Sequence, residues 1–140
     1  MKKTGSAVWS GGLKDGKGFI STESGALDNV AYGFNTRFED GPGSNPEELI
    51  GAAHAACFTM ALSGQLGEAG LRATALKTTA DVSLEKIDGS YAITAVHLTL
   101  VATSPGASDE AFQDAALRAK LGCPVSKLLA TEITLDARLE

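Results

Sequence analysis

Apolar positions in the first forty residues fall in short runs divided by turn residues. Ala7-Val8-Trp9 and Gly18-Phe19-Ile20-Ser21-Thr22 flank a glycine-rich stretch, Gly11-Gly12-Leu13-Lys14-Asp15-Gly16, which predicts strand, turn, strand. Tyr32-Gly33-Phe34-Asn35-Thr36-Arg37-Phe38 alternates and predicts a third extended run, with Phe34, Thr36 and Phe38 on one face and Asn35 and Arg37 on the other. The pattern changes at Asn45-Pro46-Glu47-Glu48. An N-cap asparagine, a proline suited to the first helical position and two carboxylates that complement the helix dipole predict a helix start. The helix should run to about Ala69, with Gly70 as its stop. Its middle is apolar almost all round, which predicts burial on most sides. Ala52, Ala53, Ala55, Ala56 and Ala61 would let other backbone elements approach closely.

Two further strands, Thr78 to Ile87 and Tyr91 to Ala102, read as a hairpin through Asp88-Gly89. Ser108-Asp109-Glu110 opens a second helix that ends at Gly122, and Cys123-Pro124 opens a short third helix through about Leu129. Ile133, Leu135, Ala137 and Leu139 alternate in a final strand. The order β-β-β-α-β-β-α-α-β predicts an α+β fold, with antiparallel sheet packed on a long, central, buried helix. A chain of 140 residues without repeats, linkers or low-complexity segments suits a single domain, 1–140.

Composition narrows the class. The chain is 44% hydrophobic and 21% charged, and its net charge of −5 argues against nucleic acid and anionic membrane surfaces as partners. The most apolar stretch, Leu49 to Leu62, is shorter than the ~20 residues that a bilayer span needs. No apolar run follows Met1-Lys2-Lys3, so no signal peptide is read there. The expectation is a cytoplasmic protein, in which a permanent structural disulfide would be unusual.

The candidate chemistry lies in two cysteines. Cys57, in His54-Ala55-Ala56-Cys57-Phe58, sits mid-helix, where it reads as a buried thiol beyond the reach of the helix dipole. It fits either a small packed hydrophobe or a reactive thiol activated from outside its helix. One guanidinium at 4 Å supplies ~4 kcal/mol at an effective dielectric of ~20. That exceeds what is needed to ionise a thiol of pKa ~8.5 near neutrality. Of Arg37, Arg72, Arg118 and Arg138, Arg37 precedes the loop into the Cys57 helix, although a solvated strand face would also explain it. Cys123, at a helix start, would face free backbone N–H groups, which lower a thiol pKa. On local physics either cysteine could be the attacking thiolate. His54 invites a Cys–His pair, or a metal site with Cys123 and His97. Such sites need three or four convergent ligands, so no metal is expected. No nucleophile-elbow motif and no phosphate-binding glycine loop is present.

Asn45-Pro46-Glu47-Glu48-Leu49, His54-Ala55-Ala56-Cys57-Phe58 and Cys123-Pro124-Val125-Ser126-Lys127, with the Tyr32–Phe38 segment, give a chain that resembles the OsmC family (osmotically inducible protein C) of the OsmC/Ohr superfamily. The resemblance covers nearly the whole length. Gly51-Ala52-Ala53-His54 points to the OsmC branch rather than the organic-hydroperoxide-resistance branch. It implies an intertwined homodimer with two active sites at its interface. It implies a cysteine peroxidase for organic hydroperoxides, less active on hydrogen peroxide, with no metal or flavin cofactor. Cys57 would be the peroxidatic thiolate and Cys123 the resolving thiol, while Arg37 and Glu47 would position and activate sulfur and peroxide. The reductant would be a dithiol, in relatives a lipoylated protein. A non-catalytic small-molecule binding protein and a thiol redox sensor are the alternatives on the same fold.

Overall fold

Hydrophobic patterning locates most of the elements, and the computed structural model describes all residues from Met1 to Glu140. The elements are β1 (Gly5–Ser10), β2 (Lys17–Thr22), β3 (Val30–Tyr32), α1 (Phe34–Phe38), α2 (Pro46–Glu68), β4 (Ala75–Ile87), β5 (Ser90–Thr103), α3 (Asp109–Gly122), α4 (Pro124–Leu128) and β6 (Glu132–Leu139). The class is α+β. The chain divides into two compact units, Met1–Leu49 and Ile50–Glu140.

The first unit is an antiparallel sheet in the order β1-β2-β3. β1 and β2 pair from Gly5↔Thr22 to Ser10↔Lys17, and Tyr32 of β3 lies opposite Gly18. A Cβ at Gly18 would collide with the rings of Tyr32 and Trp9, which pack 5.4 Å apart, so glycine is what lets this aromatic pair lie over the sheet. The third extended run stops early. Residues 34–38 are helix α1, which corrects the strand reading of Phe34, Thr36, Phe38, Asn35 and Arg37. The Thr36 hydroxyl accepts from the Gly33 N–H at 3.0 Å and donates to the Gly33 carbonyl at 3.0 Å, closing the first turn. Phe34 and Phe38, one helical turn apart, stack with centroids 4.9 Å apart.

In the second unit the sheet order is β4-β5-β6. Asp88 (φ 50) and Gly89 (φ 87) are both left-handed, as a two-residue type I′ hairpin requires. β6 pairs with β5 in parallel, from Ala95↔Glu132 to Ala102↔Leu139, so the sheet is antiparallel only between β4 and β5. α3 and α4 form the crossover that a parallel neighbour needs. Ser108 caps α3 by accepting from the Ala111 N–H at 3.2 Å.

α2 starts and stops as its sequence dictates. Asn45 Oδ1 accepts from the Glu48 N–H at 2.8 Å. At the other end Gly70 (φ 72) donates to Gly67 O at 3.0 Å and Leu71 to Leu66 O at 2.9 Å, a Schellman closure. Its burial differs from expectation. Within the chain only the stripe Gly51, His54, Phe58, Leu62 and Leu66 is buried, while Ala52, Ala53 and Ala56 are exposed and Met60 is 78% exposed. Phe58, Leu62 and Leu66 of the stripe join alternate β5 residues Val96, Leu98, Leu100 and Ala102, and Phe112, Ala115, Ala116 and Ala119 of α3, in one core. By length and composition α2 is apolar enough to cross a bilayer, but its core contacts through Phe58, Leu62 and Leu66, beside a buried His54, are those of a core helix.

The close approach comes at Gly51 rather than at the alanines. A Cβ there would lie 2.9 Å from the Ala80 carbonyl oxygen of β4, a backbone atom that cannot swing aside. Gly51→Ala should therefore lower stability. Overpacking of about 1–3 kcal/mol outweighs the gain of about 1 kcal/mol in helix propensity. Gly67→Ala, whose Cβ meets nothing within 4 Å, should instead stabilise. A urea midpoint for Gly51→Ala that is unchanged or raised would contradict the tight Gly51–Ala80 contact.

Candidate functional site

The second unit brings the two cysteines together. Both are free thiols, and the two sulfurs are close enough for each to shift the pKa of the other. The burial of Cys57 is less than the sequence predicts. Cys57 lies on the flank of the α2 stripe and is half-buried, while Cys123 has no exposed surface. The reason is position: Phe58 and His54 occupy the inward-facing sites of that helix, and Cys57 falls beside them.

Cys123 stands at the junction of α3 and α4. With φ −57 and ψ 125 it ends one helix and begins the next. Its N–H donates to Ala119 O at 2.9 Å, and its carbonyl accepts from the Lys127 N–H at 3.0 Å. Burial pushes its thiol pKa up. Against this act the Ser126 amide, the Cys57 thiol, the Ser126 hydroxyl and the Val125 amide, and together they bring it below the ordinary value. Cys57 moves the other way. Burial raises its pKa, donation to Cys123 raises it further, and the Val125 amide only partly opposes them. Within one chain the thiolate is therefore favoured on the buried sulfur rather than on the accessible one.

His54 does not pair with Cys57. Its Nε2 lies 2.8 Å from the Ser126 Oγ, and its Nδ1 is buried without a partner. Burial depresses its pKa and keeps the imidazole neutral. Ser126 is the residue that sequence reasoning passed over; its signal is its place three residues after the helix-opening Cys123, where a side chain can turn back to the cap. The other histidine, His97, is engaged on the sheet with Thr134 at 2.7 Å and Asp136 at 3.4 Å. No three His, Cys, Asp or Glu side chains converge as a metal site would require.

The first unit brings Arg37 and Glu47 together. Arg37 Nη2 donates to Glu47 Oε1 at 2.6 Å, and its Nε reaches Oε1 at 3.1 Å and Oε2 at 3.2 Å. This forked pairing fixes the guanidinium plane and leaves Nη1 to meet a ligand. The guanidinium also lies 5.3 Å from the Phe38 ring centroid. Glu47 is the more enclosed partner, 12% exposed against 37% for Arg37. Arg37 borders a cleft of about 220 Å³ whose walls include Trp9, Leu13, Tyr32, Phe34 and Phe38. An apolar cleft with one oriented cation suits a small organic molecule that carries a polar or developing anionic end. Arg118 and Arg138 are occupied by Asp114 and Glu140.

Comparison with known proteins gives concordant findings. The family model described as "OsmC-like protein" matches residues 39–138. The chain is 56% identical over 140 residues to "Peroxiredoxin OsmC" of Escherichia coli (strain K12), covering 100% of this chain and 98% of that protein. It is 34% identical over 125 residues to "Organic hydroperoxide resistance protein OhrB" of Bacillus subtilis (strain 168), covering 88% of each. The crystal structure of OhrB from Bacillus subtilis superimposes with a TM-score of 0.69 at 28% identity, over 98% of each chain.

Proposed function

This chain belongs to the OsmC family, and from that membership we propose that it reduces organic hydroperoxides to alcohols through Cys57, with Cys123 as the resolving thiol. It is a thiol-dependent peroxidase. The observation that supports the mechanism is the neighbourhood of two free thiols, one on an accessible sulfur and one on a buried sulfur.

The Cys57 thiolate attacks the distal peroxide oxygen and the O–O bond breaks. The departing alkoxide takes a proton and leaves as alcohol, and Cys57 is left as a sulfenic acid. The Cys123 thiolate then attacks the Cys57 sulfur, and hydroxide leaves and is protonated to water. In sum, two thiols and one hydroperoxide give one disulfide, one alcohol and one water. A dithiol, free or carried as the lipoyl group of a protein, returns both thiols by exchange. Arg37 supplies the charge that Cys57 lacks within its own chain, and stabilises the negative charge developing on the peroxide oxygens. Glu47 holds that guanidinium in place. The chain acts as a single functional domain, 1–140, in a homodimer, and a cytoplasmic setting would keep its thiols reduced between turnovers.

The direct test is peroxide consumption with dithiothreitol present. Turnover should be faster with tert-butyl hydroperoxide than with hydrogen peroxide. Thiol oxidation without turnover would favour the redox sensor, and neither would favour the binding protein. One equivalent of hydroperoxide should give a Cys57–Cys123 disulfide within one chain. On non-reducing electrophoresis it should run as a monomer; a covalent dimer as the main product would refute the intrachain bond.

A further inference from the structure

We propose that His54 and Ser126 are positioning residues that hold the Cys123 sulfur through the Ser126 hydroxyl, so that Cys123 attacks the Cys57 sulfenic acid and is the sulfur that departs when the disulfide is reduced. The proposal rests on the peroxidase reading for its place in the reaction, but its geometry stands apart from it.

The tautomer of His54 follows from burial. Its ring has no exposed surface, and its Nδ1 has no partner. A buried N–H without an acceptor is rarer and costlier than a buried lone pair, so Nδ1 is the unprotonated nitrogen. The proton is then on Nε2, which donates to Ser126 Oγ at 2.8 Å. With its oxygen engaged as acceptor, Ser126 has its own hydrogen free, and it stands on the first turn of α4, three residues after the N-cap Cys123, where that hydrogen can be given to the Cys123 sulfur. The result is a directed chain: His54 Nε2–H to Ser126 Oγ, Ser126 O–H to Cys123 Sγ. A neutral imidazole contributes no charge here, so its part is to set the serine rotor.

The groups facing the Cys123 sulfur are Cys57 from α2 and Ser126 and Val125 from α4. Ser126 is the side-chain donor among them that stays in place after Cys57 has been oxidised to sulfenic acid. It therefore stabilises Cys123 as the attacking thiolate. In reduction, a dithiol reaches the half-exposed Cys57 sulfur, the S–S bond breaks, and the electron pair leaves on Cys123, where the same hydroxyl receives it.

The test uses the full-length protein. In a Cys57→Ser background, thiolate absorbance reports the titration of Cys123. Ser126→Ala should cut the thiolate fraction near neutral pH about tenfold, an upward shift of about one unit. His54→Leu should shift it in the same direction. Adding His54→Leu to Ser126→Ala should change nothing further, because the histidine acts through the serine. With Cys57 present, Ser126→Ala should slow disulfide formation in stopped flow about tenfold, and Ser126→Thr, which keeps the hydroxyl, should restore it. Should Ser126→Ala fail to fold, His54→Leu against His54→Gln decides, since glutamine keeps an N–H donor and should restore the parental titration. Unchanged Cys123 titration in a folded Ser126→Ala or His54→Leu variant would overturn the proposal. The peroxidase reading fails separately: wild type would then consume no hydroperoxide, while the titrations would still report the hydrogen-bond chain.

Discussion

Cys57→Ser should abolish peroxide turnover, whereas Cys123→Ser should retain one turnover per subunit and accumulate Cys57 sulfenic or sulfinic acid. The two thiols differ in the two properties that matter, and in opposite senses. Cys123 is the more acidic but is wholly enclosed, so a hydroperoxide cannot bring its distal oxygen to that sulfur. Cys57 is reachable but its pKa is raised, by burial first and then by donation to Cys123. A cation can correct acidity, since a single guanidinium at 4 Å contributes ~4 kcal/mol at an effective dielectric of ~20, about three pKa units at ~1.4 kcal/mol each. No comparable correction exists for access. Access should therefore assign the nucleophile, and the acidic, enclosed thiol is suited to resolution. Dimedone labelling followed by peptide mapping checks this in both variants. Sulfenic acid trapped mainly on Cys123 would reverse the assignment.

What was legible in the sequence was mostly local chemistry. Asp88-Gly89 names its own turn, and Asn45-Pro46 with Gly70 brackets α2, because each signal acts within a few residues. Phe34, Thr36 and Phe38 misled because over five residues a period of two also satisfies the i,i+4 spacing of a helix. Gly33 and Thr36 settled it by closing a turn. The parallel placement of β6 depends on a partner strand beyond two helices, which alternation in β6 alone does not encode. Local chemistry singled out Cys57, Cys123 and Arg37 as candidates, while Glu47 and the separate roles proposed for the four came from the motif resemblance. That Arg37 pairs with Glu47 follows from tertiary geometry, as does the link between His54 and Ser126, 72 positions apart. The exposed alanines of α2 pose a different problem. Their pattern predicts a buried surface, and this chain alone does not bury it.

Mixing inactive Cys57→Ser chains with inactive Arg37→Ala chains should restore part of the activity. Glu47 and Cys57 lie on one helix, α2, ten positions apart (47 to 57). At 1.5 Å per residue their backbones are about 15 Å apart along the axis, more than a glutamate side chain can span. Arg37 is bound to Glu47 through both Nε and Nη2, so the guanidinium stays with that carboxylate. For the Arg37–Glu47 pair to serve a Cys57 sulfur, the sulfur should then belong to the other subunit. Small residues, Ala52, Ala53 and Ala56, are left exposed on α2 and would permit the close helix approach this requires. Each active site would combine Cys57 and Cys123 of one subunit with Arg37 and Glu47 of its partner. In a heterodimer of the two variants, one of the two sites keeps all four side chains and the other loses both Cys57 and Arg37. Random re-association makes half of the dimers heterodimers, so recovery should approach about one quarter of wild-type activity, read as hydroperoxide consumption after subunit exchange confirmed by mass spectrometry. No recovery in verified heterodimers would mean that each site is assembled within a single chain, and that the helix-length argument is wrong.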